Sequence, residues 1–227
     1  GPVGDIGVVA EELLLENGST IGSFTESLSA GGSVVVDVGG RLALLDASEI
    51  YTESLGDPSL LTGEVGDVLI SAGEIVLADR SSIRSTTQTA APGGDVDLMA
   101  NGSIRLSTLS AIASEPRGFG DAGDIRIRGG SLLLEGGSQV ISQSNPDWIL
   151  DVEGNLIKEA SLEMGAPGDI AVVVAGALEI DGVYGTGVED ATRSMISARV
   201  ENPGSEADAG NIAITGGSVE IKNGALV

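Results

Sequence analysis

Between residues 147 and 155 the chain reads Asp147-Trp148-Ile149-Leu150-Asp151-Val152-Glu153-Gly154-Asn155. Asp147, Asp151, Glu153 and Asn155 carry hard oxygen donors, and carboxylate and amide oxygens close together are what a calcium ion needs. They are the calcium candidates, and no other cofactor is expected. EF-hand spacing is not met, because with Gly154 at the turn position Ile149 stands where the first Asp belongs. Trp148 among these acids is suited to stack on a sugar ring or anchor a protein partner, and Tyr184 is the large aromatic of a second long insertion. The same Trp148 would also serve to pin its own hairpin to the rest of the fold.

Catalysis has few other footholds. The chain contains no His and no Cys, so imidazole and thiolate chemistry and the metal sites built on them are excluded. Arg126 and Arg128 flank Ile127 on an outward-facing strand, with no acidic triplet visible beside them in the sequence. They read as a solvated strand face. Polysaccharide hydrolases and lyases pair carboxylates with a histidine or a basic proton acceptor, and there is no adjacent Asp-Asp pair or Asn-Thr-Asp run here. No catalytic residue is therefore assigned. Eleven Lys and Arg against 34 Asp and Glu give a formal net charge of −23. Such a field repels nucleic acid and anionic membrane and keeps a strand-rich surface soluble. No apolar run reaches the roughly 18 residues of a membrane span.

The elements that position these groups come from a repeat. A Gly is followed by an aliphatic pair spaced by two: Ile6/Val8, Val34/Val36, Val68/Ile70, Val96/Leu98, Ile125/Ile127, Ile170/Val172 and Ile212/Ile214. A second pair follows each time: Leu13/Leu15, Leu42/Leu44, Ile75/Leu77, Ile104/Leu106, Leu132/Leu134, Leu178/Ile180 and Val219/Ile221. A third aliphatic completes the unit at Ile21, Ile50, Ile83, Ile112, Val140, Ile196 and Val227, mostly flanked by Ser or Thr as in Ser81-x-Ile83-x-Ser85. Alternation is the strand period, and glycine-rich turns break any helical one. Aromatics are only 2% of the chain, which argues against a β-propeller and for a thin aliphatic core. Short strands that cannot bury an apolar face alone do so by stacking repeat on repeat. The chain is predicted to be an all-β, single-stranded parallel β-helix, a solenoid of about seven three-strand coils. Its inward serines should bond along a ladder or to turn backbone.

Additions to the repeat fall at 53–65, 143–167, 181–193 and 201–209, the second of which reads as a projecting β-hairpin. Insertions on neighbouring coils often form the binding face of a repeat protein. Phe24 and Phe119 occupy matching turns and are expected to pack there. Gly1-Pro2 reads as a protease-cleavage scar and 3–227 as a shaft fragment, expected to belong to a longer protein because Val227 falls within a repeat.

The stretches from Gly123-Asp124-Ile125-Arg126-Ile127 to Ser144 and from Gly210-Asn211-Ile212-Ala213-Ile214 to Val227 resemble repeats of filamentous-haemagglutinin-like exoproteins of two-partner secretion systems. That resemblance implies a right-handed helix, export through an outer-membrane transporter, and a location secreted from or attached to the surface of a Gram-negative cell. It implies an adhesin- or haemagglutinin-like role toward a host or neighbouring-cell glycan or protein. Asn145-Pro146 and Asn202-Pro203 lie in insertions and lack the sequence context of that family's secretion module, which places this segment in the downstream shaft. A carbohydrate-active β-helix enzyme and a purely mechanical spacer are the alternatives.

Overall fold

Side chains two apart in an extended chain share a face, so Ile125 and Ile127 turn to one side and Arg126 and Arg128 to the other. Burial follows that alternation along Ile125–Gly129. The computed structural model describes residues 4–26, 29–55, 63–144, 165–185, 192–200 and 207–227. Every regular element among them is a strand.

The first repeat consists of β1 (Ile6–Ala10), β2 (Leu13–Leu15) and β3 (Thr20–Thr25). In the second, β4 (Val34–Leu44) carries both leading segments and β5 (Glu49–Ser54) the third. The third repeats this with β6 (Val68–Leu77) and β7 (Ser82–Thr87). The fourth has β8 (Val96–Ala100), β9 (Ser103–Leu106) and β10 (Ala111–Pro116). The fifth has β11 (Ile125–Gly129), β12 (Ser131–Glu135) and β13 (Gln139–Ser144). In the sixth, β14 (Ile170–Val174) and β15 (Ala177–Asp181) precede two short strands, β16 (Val183–Tyr184) and β17 (Thr192–Arg193), and then β18 (Met195–Val200). β19 (Ile212–Thr215) and β20 (Ser218–Lys222) belong to the seventh.

Strands of equal place in successive repeats pair in parallel. Leading segments merge into a 12-stranded sheet, and the third segments form a six-stranded sheet in the order β18-β13-β10-β7-β5-β3. Register sets like on like. Ile6, Val34, Val68, Val96, Ile125, Ile170 and Ile212 form one column. Leu13, Leu42, Ile75, Ile104, Leu132, Leu178 and Val219 form a second. Ile21, Ile50, Ile83, Ile112, Val140 and Ile196 form the third. These are the columns that the spacing predicts, and all their members but the exposed Val219 merge into one continuous apolar core. The result is an all-β, solenoid-like stack.

Many of the inward serines form the expected ladder, whereas the hydroxyls of Thr52, Ser114 and Ser144 are buried without a hydrogen-bond partner. The amides of Ser19, Ser48 and Ser110 donate to Oγ of Ser48, Ser81 and Ser138 at 3.2–3.3 Å. Ser81 and Ser110 Oγ donate in turn to the carbonyls of Ala78 and Ser107 at 2.7 Å. Ser23, Ser85 and Ser142 Oγ accept the amides of Gly32, Gly94 and Gly168. Each hydroxyl buried in this way meets a backbone group that would otherwise be orphaned.

The turn into the third segment uses two successive left-handed residues. Asn17-Gly18 and Gly136-Gly137 suit that conformation, but Asp46-Ala47 (φ 53° and 59°), Asp79-Arg80 and Thr108-Leu109 also adopt it. A β-carbon there crowds the following carbonyl and costs about 1–2 kcal/mol. Ala47 is exposed, so removing its methyl loses no packing. Ala47→Gly is expected to stabilise the protein by about 0.5–1 kcal/mol after the extra unfolded-state freedom of glycine is counted. An unchanged or lower urea midpoint would contradict this.

The insertions are narrower than the spacing predicts. Glu53 and Ser54 still belong to β5, and Gln143 and Ser144 to β13. Glu64 accepts the amide of Gly31, and Ala166 accepts that of Ala122, so both insertions rejoin the stack before their expected ends at 65 and 167. The backbone ladder resumes as soon as a residue lies level with the preceding repeat. Within 181–193, Asp181 is part of β15, and β16 pairs with β17 in an antiparallel hairpin. The hairpin expected between Asp147 and Lys158 lies outside the described residues. Phe24, expected in a turn, instead sits within β3, 51% exposed and in register with Glu53. Strand alternation turns it outward there, away from the core.

Candidate functional site

Outward positions of the leading strands stack as strictly as the inward ones. Val35, Leu69, Asp97 and Arg126 form one outer column, and Asp37, Ser71, Met99 and Arg128 the next. Between them runs an open groove of about 370 Å³, lined by Val35, Asp37, Leu69, Ser71, Asp97, Met99 and Arg128. Its floor is aliphatic at one end, and it carries both signs of charge at the other.

Arg126 is ringed by acids that the linear sequence keeps apart. Its Nη1 lies 2.5 Å from Asp95 Oδ2 and 3.6 Å from Asp97 Oδ2, and its Nη2 lies 2.8 Å from Asp124 Oδ2. Arg126 does lie on an outward, partly solvated strand face, 33% exposed, but the expectation that no acidic triplet stands beside it is corrected. Repeats about one coil apart in sequence become lateral neighbours at roughly 4.8 Å. The hydrogen bond with Asp95, reinforced by the charges of Asp95, Asp124 and Asp97, raises the guanidinium pKa above its ordinary value against a desolvation that would lower it. Such a group holds its proton and is a poor base. Asp97 Oδ1 is buried without a hydrogen-bond partner, with Arg128 Nη1 3.9 Å away.

Asp95 and Asp124 also serve the scaffold. Asp5, Asp67, Asp95, Asp124 and Asp169 each use Oδ1 to accept the amide of the equivalent residue one repeat further on, at 2.7–2.9 Å. Ser33 fills the same place with its hydroxyl, which accepts the amide of Asp67. Asp124→Ala removes the acceptor for the Asp169 amide and is expected to cost about 1 kcal/mol. Asp124→Asn keeps an oxygen there and loses only a partly exposed ion pair, so it should cost less than about 0.5 kcal/mol. Equal losses in chemical denaturation would show that charge and not the ladder matters at this position.

A second outer cluster, on the six-stranded sheet, has no counterpart in the sequence reading. The Tyr51 ring covers Gly22 of the repeat below, where a β-carbon would overlap it, and Arg84 lies 4.8 Å above its centroid. Arg84 also reaches Glu49 at 3.6 Å and Glu53 at 3.5 Å. Tyr51 is therefore held between neighbours and offers little free face. Its signal was available in the aligned outward positions Gly22, Tyr51 and Arg84.

Of the site residues expected from sequence, Tyr184 is placed on β16, 41% exposed, with its Cβ against the turn at Gly137. Its hairpin is tied down where Arg193 Nη1 donates to the Gly224 carbonyl at 2.9 Å and Ser194 Oγ to that of Asp181 at 2.8 Å. Asp147, Trp148, Asp151, Glu153 and Asn155 lie outside the described residues. Among the described residues no three acids, histidines or cysteines are grouped to hold a metal ion.

No family model, no curated protein and no solved structure matches the chain.

Proposed function

We propose that the chain is a shaft segment of a secreted or surface-attached adhesin-like exoprotein of a Gram-negative bacterium, built as a single-stranded right-handed parallel β-helix. Right-handed connection is the strong expectation for parallel strands joined through crossovers in one sheet. What carries the reading is the use made of the polar residues. The stacked Asp and Ser columns bond backbone amides from repeat to repeat, so these recurring polar groups hold the stack together. Recognition of a glycan or protein on a host or neighbouring cell falls to the insertions of coils five and six, with Trp148, Asp147, Asp151, Glu153 and Tyr184 as contacts. Calcium, if used, would be held by Asp147, Asp151, Glu153 and Asn155. Export of the whole protein would use an outer-membrane transporter.

The groove holding Asp97 and Arg128 favours one other reading, a polysaccharide-active enzyme. The raised pKa of Arg126 speaks against its serving as the base. The test compares the chain with a variant lacking 146–163 for binding to immobilised glycans and to cells. Binding that the deletion abolishes supports recognition by that insertion, and unchanged binding removes it. New reducing ends or unsaturated uronates released from polysaccharides would replace the shaft reading with the enzymatic one.

A further inference from the structure

On the outward face of the leading sheet, apolar side chains lie open to solvent in the interior of the stack. In the groove described above, Val35 and Met99 are 41% and 48% exposed, and half-buried Leu69 stands on the strand between theirs. This floor belongs to the second, third and fourth repeats, with covered neighbours on both sides.

Two carboxylates border the floor, and neither is fully satisfied. Asp37 is exposed, and among the described residues its carboxylate takes part in no ion pair or hydrogen bond. Asp97 Oδ1 is buried without a hydrogen-bond partner. Arg128 Nη1 stands 3.9 Å from it, beyond hydrogen-bond reach, on a side chain that is 57% exposed. Arg126 cannot turn to it, because its two terminal nitrogens are hydrogen-bonded to Asp95 and Asp124. A buried carboxylate oxygen without a donor is costly, and an incoming cation with N–H groups would supply one.

Register fixes how far apart the two acids are. Asp97 lies two strands across from Val35, and Asp37 two residues along from it. At roughly 4.8 Å per strand and 3.4 Å per residue, their positions are about 12 Å apart. An extended peptide spans about 13 Å over four residues. Basic side chains at its first and fifth positions therefore meet Asp37 and Asp97, while an aliphatic one at its third, on the same face, lies on Leu69. The net charge of −23 draws such a segment in and repels acidic ones.

We infer that this groove is a docking site for an extended basic segment of a partner protein, its cations on Asp37 and Asp97 and an aliphatic side chain over Val35, Leu69 and Met99. Arg128 is then an internal competitor, which occupies the place beside Asp97 and turns aside when the segment binds. The site is on the shaft face and does not depend on the insertions of coils five and six.

Fluorescence anisotropy of the full chain with a labelled, end-capped peptide of lysine, serine, leucine, serine and lysine tests this at low ionic strength. Binding is expected between about 10 µM and 1 mM, as suits so small a contact. Asp37→Asn should weaken it about fivefold and Asp97→Asn about tenfold. Asp79→Asn, the same charge change at an exposed turn, should alter it less than about twofold. Arg128→Gln should tighten binding about threefold or more, whereas Arg80→Gln at that turn should not. Val35→Ser/Leu69→Ser should weaken it with no change of charge, which a diffuse attraction to an acidic protein would not show. The variant lacking 146–163 should bind as the parent does. Circular dichroism melts check that each variant is folded. Absence of binding overturns the inference, as do equal losses from Asp37→Asn and Asp79→Asn, or loss of binding in the deletion variant. Preference for a glutamate version of the peptide, or for oligogalacturonate, that Arg128→Gln abolishes would make the groove an anion site and overturn it as well.

Discussion

Ile112→Ala is expected to destabilise the protein by about 4 kcal/mol, the upper part of the range for truncating a buried isoleucine. Ile112 has no exposed surface and stands in the middle of the third column, between Ile83 and Val140 in direct register. Loss of its side chain removes the transfer free energy of three carbons and leaves a void. In a compact globule neighbouring helices can shift to close such a void. Here the walls are parallel ladders whose spacing is set by backbone hydrogen bonds at roughly 4.8 Å, so they cannot close on it. Val219→Ala, in a column position 47% exposed, should cost less than about 1 kcal/mol. Urea denaturation followed by circular dichroism measures both. Similar losses at the two positions would mean that the columns are not the source of stability.

Gly123→Ala is expected to cost about 3 kcal/mol or more, although it adds a single methyl group. Gly123 follows Gly94 and Gly66 in a column where each backbone lies directly on the one before. A β-carbon at Gly123 would overlap the carbonyl group of Gly94 and approach the Asp95 amide nitrogen to 2.7 Å. Overpacking commonly costs 1–3 kcal/mol when side chains can give way, but here the obstruction is main chain pinned on both sides. The Asp124 amide next to it donates to Asp95 Oδ1, so any shift that relieves the clash also stretches the aspartate ladder. Gly7→Ala is the control, since nothing lies within 4 Å of a β-carbon at Gly7. It should be neutral or slightly stabilising. A Gly123→Ala protein with the midpoint of the parent would rule out the close stacking of this column.

Together these effects describe a molecule whose stability is distributed along one axis. Each repeat contacts its neighbours above and below, and stability in such a stack approximates a sum of repeat and interface terms.

The sequence by itself determined the strand phases, the three aliphatic columns and their register. Alternation with period two is a local property, and repeat-to-repeat spacing is uniform enough that Ile83, Ile112 and Val140 align without coordinates. It also indicated that buried serines could bond along a ladder or to turn backbone, as Ser48, Ser81, Ser110 and Ser138 do, though not that Ser114 and Ser144 would be left without a partner. Three things were decided only by the tertiary structure. The acids around Arg126 come from residues 95, 97 and 124. The register alone would set Asp97 beside Arg126, but Asp95 and Asp124 precede their strands, and their reach depends on backbone direction at the corner. The left-handed pairs at Asp79-Arg80 and Thr108-Leu109 are invisible in residue type, because stacking on neighbouring turns imposes a conformation that those residues disfavour alone. The bounds of the insertions, and the hairpin at Tyr184, depend on where a chain leaving the stack next finds a free ladder position. That is a long-range condition, and no short window of sequence contains it.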